Sequence, residues 1–168
     1  SISCVMPAYN EAGNLGVVVP HVIEALNNLS KNIEIIVVND GSRDATAQVL
    51  SDLCVSYPQI VALNLSRNFG KEAALTAGLD AAHGDVVVIL DADGQHPVDL
   101  IPEMLQKWGQ GSDVVYAIRK TRHDQSTLHI AFTRVFYKLI NWRSRVQIPA
   151  NAGDFRLMDK KVVNALRD

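Results

Sequence analysis

The sequence predicts an α/β fold, a mostly parallel sheet with helices on both faces, and three observations carry that expectation. Short apolar runs alternate with helical patterns at least four times along the 168 residues, the rhythm of strand–helix–strand units with right-handed crossovers. The runs are rich in β-branched residues and lack polar alternation, as strands buried on both faces are. Each of the first four runs also ends in a polar cluster. In an open parallel sheet those ends share one rim, so four loops would build a single crevice.

The elements follow in order. Ile2 to Met6 is a first strand, broken at Pro7-Ala8-Tyr9-Asn10-Glu11. A helical pattern then runs to about Leu29, and Pro20 within it predicts a kink or a late helix start. Ile33 to Val38 is a second strand, ending in Asn39-Asp40-Gly41-Ser42. Asp44 can cap a helix over Ala45 to Ser56. Ile60 to Leu65 is a third strand, followed by Asn68, Gly70 and Lys71, and an alanine-rich helix extends from about Glu72 to Ala82. Val86 to Leu90 is a fourth, with Pro97 suited to the first turn of a helix over Val98 to Trp108. Asp113 to Ile118 is a fifth strand.

Composition bounds the function. An apolar content of 48% and a charged content of 20% are those of a globular domain. A net charge of −2 argues against nucleic acid as a partner, although the stretch after Arg119 is locally basic. Cys4 and Cys54 fit neither a disulfide framework nor a zinc pattern and read as two buried reduced thiols. No apolar run is long enough to span a membrane. The chain opens almost directly on a strand and stops inside a helical pattern, which predicts a piece of a longer protein. Residues 1–118 read as an α/β core and 119–168 as a further segment of the same domain.

The most informative stretch is Asp91-Ala92-Asp93-Gly94-Gln95-His96-Pro97. Two carboxylates where a buried strand ends repel each other unless a cation neutralises them. Oxygen ligands favour a hard divalent ion such as Mg²⁺ or Mn²⁺. The bland reading is a turn closed by an aspartate side chain. His96 beside Pro97 reads more as a helix-start residue than as a ligand. Neither a G-x-G-x-x-G fingerprint after the first strand nor a phosphate-binding G-K-[ST] loop is present, which disfavours a dinucleotide site and a P-loop NTPase.

With these residues in hand, the chain resembles the family 2 glycosyltransferases of the GT-A fold, a Rossmann-like architecture. The matching motifs are Pro7 to Glu11, Val37 to Thr46, Asn68 to Glu72, Ala81 to Asp85 and Asp91 to Pro97. N-F-G-K-E together with D-A-D-x-Q looks most like the subgroup that glycosylates dolichyl or undecaprenyl phosphate. The resemblance implies an inverting, metal-dependent transfer from a UDP- or GDP-sugar to a polyprenyl phosphate at the cytoplasmic face of a membrane. By that resemblance Pro7, Tyr9, Glu11 and Asp40 line the nucleotide pocket, with Asp40 accepting from a ring N–H. Asn39 stands where family members usually carry Asp. Lys71 either lies near the donor or is a solvated helix-start charge. Asp91, Asp93 and Gln95 would hold Mg²⁺ or Mn²⁺, with Asp93 essential to turnover.

The remaining expectations concern the acceptor. Arg119 and Arg122 form a cationic cluster suited to a phosphate, or a solvated loop. Leu128, Phe132, Val135, Phe136, Leu139 and Trp142 make one apolar helical stripe, with Arg134, Lys138 and Arg145 on another face. Such a helix lies at a membrane surface or packs on protein. In the resembling family Asp154 stands beside the acceptor, supported by Arg156. A phosphate acceptor needs orientation and charge shielding more than a base, which would give Arg119 and Arg122 the larger role. A homo-oligomer is compatible with the sequence. The rivals are the same chemistry on a saccharide or protein hydroxyl, a non-catalytic nucleotide-sugar binding module, and a nucleotidyltransferase. The last lacks its usual Gly-rich basic start here.

Overall fold

A computed structural model describes residues 1–118 and 152–167, with the side chains of 1–118 and 155–167. Arg119, Arg122, the apolar stripe from Leu128 to Trp142 and the side chain of Asp154 lie outside the described residues. The chain forms two compact units, Ser1–Val115 with Asp154–Asp168, and Tyr116–Gly153.

The elements run β1 (Ile2–Ala8), α1 (Ala12–Asn27), β2 (Ile33–Asn39), α2 (Thr46–Ser56), β3 (Ile60–Asn64), α3 (Lys71–Ala81) and β4 (Val86–Ile89). A 3₁₀ turn (Val98–Leu100) leads into α4 (Ile101–Gly109), followed by β5 (Val114–Ile118), β6 (Ala152–Asp159) and α5 (Lys160–Arg167). The strand order is β3-β2-β1-β4-β6-β5. β1 pairs in parallel with both β2 and β4, and β2 with β3. The expected mostly parallel sheet is therefore present. β6, which no apolar run in the sequence announces, enters antiparallel beside β4, with Val88 opposite Leu157 and Ile89 opposite Arg156.

Two local expectations change. The alternative of a late helix start at Pro20 falls, because α1 starts at Ala12 and runs through Pro20. Pro97 does not open a helix; its ψ of 98° is extended, the 3₁₀ turn follows, and Pro102 takes the helix-start position of α4.

The core forms on both faces of the sheet. Leu15, Val19, Val22, Ile23 and Leu26 are the buried stripe of α1, spaced as one helical face. On one sheet face, Val5, Ile36, Val38, Val87 and Ile89 pack with Ala74 and Leu75 of α3 and Val163 of α5. The alternate residues Cys4, Met6, Ile35 and Val37 are equally buried, as strands covered on both sides require. Both cysteines are free thiols, but only Cys4 is fully buried, and Cys54 is half-buried. Burial pushes the Cys4 thiol well above the ordinary range, so it stays protonated. Among the described residues, no helix is long and apolar enough to cross a membrane.

Candidate functional site

The strand order reverses direction between β1 and β4, and ligands of open α/β sheets bind beyond the strand ends at such a point. A crevice of about 320 Å³ opens there. Pro7, Ala8, Tyr9 and Glu11 line it from the end of β1, and Asp40 from the end of β2. Asn68, Gly70 and Lys71 come from the loop after β3, and Asp91, Ala92 and Asp93 from that after β4. The four polar clusters read from the sequence therefore meet in one cavity.

The loops are stitched to one another in order. Asn10 sits at a φ of 56°. It receives the Arg43 amide on Oδ1 at 2.9 Å and donates its own amide to Ser42 Oγ at 2.9 Å. Thr46 Oγ1 accepts the Glu11 amide, and Asp44 accepts the Ala12 amide and both the amide and hydroxyl of Thr46. The side-chain bond from Thr46, helped by the Thr46 and Ala12 amides, holds the Asp44 carboxyl below its usual pKa against the cost of desolvation. Asp44 thus closes a turn two residues ahead of α2 and also steadies the start of α1. The P-A-Y-N-E and N-D-G-S-R-D-A-T segments are two halves of one hydrogen-bonded corner.

The next stitch joins β2 to the loop after β3. Asp40 is 3% exposed, and its two carboxylate oxygens accept from the Phe69 amide at 2.8 Å and the Gly70 amide at 2.9 Å. Beside it, Asn39 donates Nδ2 to Asn64 Oδ1 at 2.8 Å and accepts the Ser42 amide at 3.0 Å. An Asp at position 39 would lack the donor for Asn64, so the asparagine is matched to its strand partner. Gly41, at a φ of 62°, passes so close that a Cβ would enter the backbone of Arg67 and Asn68. Arg67 stacks over the Phe69 ring at 4.7 Å.

The last stitch is ionic. Lys71, the first residue of α3, places Nζ 2.7 Å from Asp91 Oδ1 and 2.9 Å from Oδ2. Its charge belongs to the crevice rather than to a solvated helix start. Asp93 Oδ1 accepts the Gln95 amide at 2.9 Å, the turn that the bland reading of this stretch predicts, yet Asp93 still lines the crevice. Gln95 is exposed and lies outside the crevice lining.

The donor set fits a hard divalent cation. Asp91 already draws a cation, the Lys71 ammonium, onto its carboxylate. Among the described residues no three His, Cys, Asp or Glu side chains gather into a closed cage. Two carboxylates on an open rim match an ion that completes its shell with water and substrate phosphate. Arg156 stands apart from this crevice. It lines a separate depression with Glu72, Leu75 and Asp80 of α3 and Arg167 of α5, and its Nε is buried without a hydrogen-bond partner. His96, which the sequence suggests as a helix-start residue, instead has a side chain only 10% exposed and bonded to the Asp91 amide.

A crevice with an acidic strand end and four loops converging at the switch point stands where open α/β sheets bind their ligands. The glycosyl transferase family 2 model matches residues 3–167, and the chain belongs to that family. It is 48% identical over 166 residues to an uncharacterized glycosyltransferase of Synechocystis sp., covering 99% of this chain and 52% of the relative. It is 43% identical to the bactoprenol glucosyl transferase of Shigella phage SfV, covering 99% of this chain and 54% of the relative. The chain thus spans about half the length of these curated relatives. Its fold is the GT-A fold. It superposes on Mycobacterium tuberculosis glucosyl-3-phosphoglycerate synthase in complex with Mn²⁺, UDP and phosphoglyceric acid with a TM-score of 0.69, at 20% identity over 96% of this chain and 56% of that one. It also superposes on the Pyrobaculum calidifontis mannosyltransferase in complex with GDP-mannose and Mn²⁺, with a TM-score of 0.60 at 23% identity, over 98% of this chain and 46% of that one.

Proposed function

We propose that this chain is the donor-binding part of an inverting glycosyltransferase that moves a sugar from a nucleoside diphosphate to a polyprenyl phosphate at the cytoplasmic face of a membrane. The observation that carries the reading is the convergence of Tyr9, Asp40, Lys71, Asp91 and Asp93 on one crevice at the switch point. The similarity to bactoprenol glucosyl transferases supports the lipid phosphate as acceptor.

In this reading the half-exposed Tyr9 offers a ring face to the base. Asp40 uses two of its roughly four lone-pair sites on amides, and the rest can accept a base N–H. Lys71 turns from Asp91 toward the donor phosphates. Asp91 and Asp93, with Gln95 contributing directly or through water, hold Mg²⁺ or Mn²⁺, which when bound offsets the charge that develops on the departing diphosphate. Arg119 and Arg122 clamp the acceptor phosphate, with Asp154 beside the acceptor.

A thermal-shift panel of UDP, GDP and CDP, each with and without Mn²⁺, tests the reading. A ligand at a hundredfold its Kd stabilises by about 2.7 kcal/mol, or roughly 5–11 °C for a chain of this size. One nucleoside diphosphate should shift the melt, and the shift should require Mn²⁺. Asp93→Ala should keep the wild-type melt and lose that shift. Equal shifts with and without Mn²⁺, or a full shift in the D93A variant, would sink the metal assignment.

A further inference from the structure

We propose that His96 is a positioning residue for Asp91, clamped between the backbone of the β4 end and the ring of Phe155 on β6. The inference rests on the reading that Asp91 serves the donor's metal.

The argument starts at the strand end. Leu90 makes the last ladder bond of β4, donating its amide to Val5 O at 3.2 Å. The Asp91 amide lies beyond the ladder and needs another acceptor. His96 Nδ1 supplies it at 3.0 Å, closing residues 91–96 into a loop. An imidazole nitrogen that accepts carries no proton, so the ring hydrogen resides on Nε2. That Nε2 stands 3.9 Å from Asp91 Oδ2, beyond hydrogen-bond reach. The ring therefore holds Asp91 through its backbone amide, beside the carboxylate.

The ring is itself held. His96 stacks on Phe155 with centroids 5.3 Å apart and planes 14° apart. Phe155 is 2% exposed, and its neighbour Arg156 is fixed opposite Ile89 by strand pairing. By fixing the Asp91 backbone the ring fixes where its carboxylate starts, a supporting role of the kind that outer groups play around metal ligands. Gly94, at a φ of 72°, gives the loop the turn that brings His96 back over Asp91. A helix-start role would leave the ring in solvent, whereas here it is nearly enclosed.

The test compares His96→Ala, His96→Asn and His96→Gln in the full chain. Asn places its Oδ1 near the position of Nδ1 and keeps the acceptor, whereas Gln carries its oxygen one bond further out. The readouts are Mn²⁺ affinity by electron paramagnetic resonance with UDP and with GDP, hydrogen exchange of the Asp91 amide, and thermal melting. H96A and H96Q should weaken Mn²⁺ binding about tenfold or more and lose protection of the Asp91 amide. H96N should retain protection and bind Mn²⁺ within about threefold of wild type. Should H96A fail to fold, the contrast between H96N and H96Q still separates a positioning role from none. Wild-type Mn²⁺ affinity in H96A or H96Q, or equal losses in H96N and H96Q, would overturn the positioning role while leaving the donor site standing. A wild-type chain that binds no Mn²⁺ with either nucleotide would overturn both.

Discussion

Asp40→Asn separates two jobs that one carboxylate performs. In the folded chain Asp40 is 3% exposed, and its oxygens hold the Phe69 and Gly70 amides at 2.8 and 2.9 Å. A carboxamide has one oxygen, so its NH₂ group must face one of these two N–H donors. One charge-assisted bond is lost, and a buried amide is left without an acceptor. A hydrogen bond to a charged group contributes about 1.5–3 kcal/mol, and an orphaned buried donor costs about 1–3 kcal/mol. The two figures overlap, so the expected loss is about 2–4 kcal/mol. At roughly 2–4 °C per kcal/mol, Tm should fall by about 4–16 °C. Circular dichroism melts at neutral pH measure this, and titration with UDP and GDP then measures binding in the folded fraction. Asp40→Ala, which removes both acceptors, should cost at least as much. A D40N melt within about 1 °C of wild type would refute the reasoning. It would mean that the two amides are satisfied elsewhere and that Asp40 is kept for a ligand alone.

Three further outcomes are expected. Gly41→Ala puts a Cβ into the Arg67–Asn68 backbone at a φ of 62° and should destabilise by about 1–3 kcal/mol or more, read from urea melts; an unchanged midpoint contradicts the close approach. Lys71→Met removes an ion pair that is partly exposed and worth up to about 1 kcal/mol. Without nucleotide, Mn²⁺ should therefore bind up to about fivefold tighter in that variant, whereas weaker binding would argue that Lys71 does not compete for Asp91. Glu34 supplies a pH test. Burial works to raise its pKa, but bonds from Ser3 Oγ and the His83 amide, with the His83 ring nearby, bring it below the ordinary 4.5. Its depressed pKa means that its stabilisation is present above 4.5 and is lost as pH falls through the folded value. The Tm gap between wild type and Glu34→Gln should be widest near neutrality and close in acid; a gap independent of pH would rule out the linkage.

Much of the site is legible in the sequence because its signals are local. Asp91 and Asp93 are adjacent to a buried valine run, and the positions of Pro7, Tyr9, Glu11, Asp40 and Lys71 follow from strand ends that any parallel sheet brings together. What these groups hold is less legible. From sequence Asp40 reads as an acceptor for a base, yet in the fold its oxygens first hold two amides from the loop after β3. Arg156 reads from sequence as a support for Asp154 beside the acceptor; in the fold it pairs opposite Ile89 and lines a depression with residues of α3 and α5. Gln95 shares the motif of Asp91 and Asp93 but turns outward, because its amide closes a turn on the Asp93 side chain.

By itself the sequence determined the α/β class, the alternation of β1 to β4 with their helices, the polar rim and the acidic strand end. These depend on hydrophobic period and turn chemistry, which are properties of neighbouring residues. Only the tertiary structure decided the insertion of β6 beside β4, the match of Asn39 to Asn64, the ion pair of Lys71 with Asp91, and the stacking of Phe155 on His96. Each joins residues far apart in the chain. Which distant groups meet is set by strand order and register, since a shift of one residue along β6 would turn Phe155 to the other face and leave the His96 ring without its support.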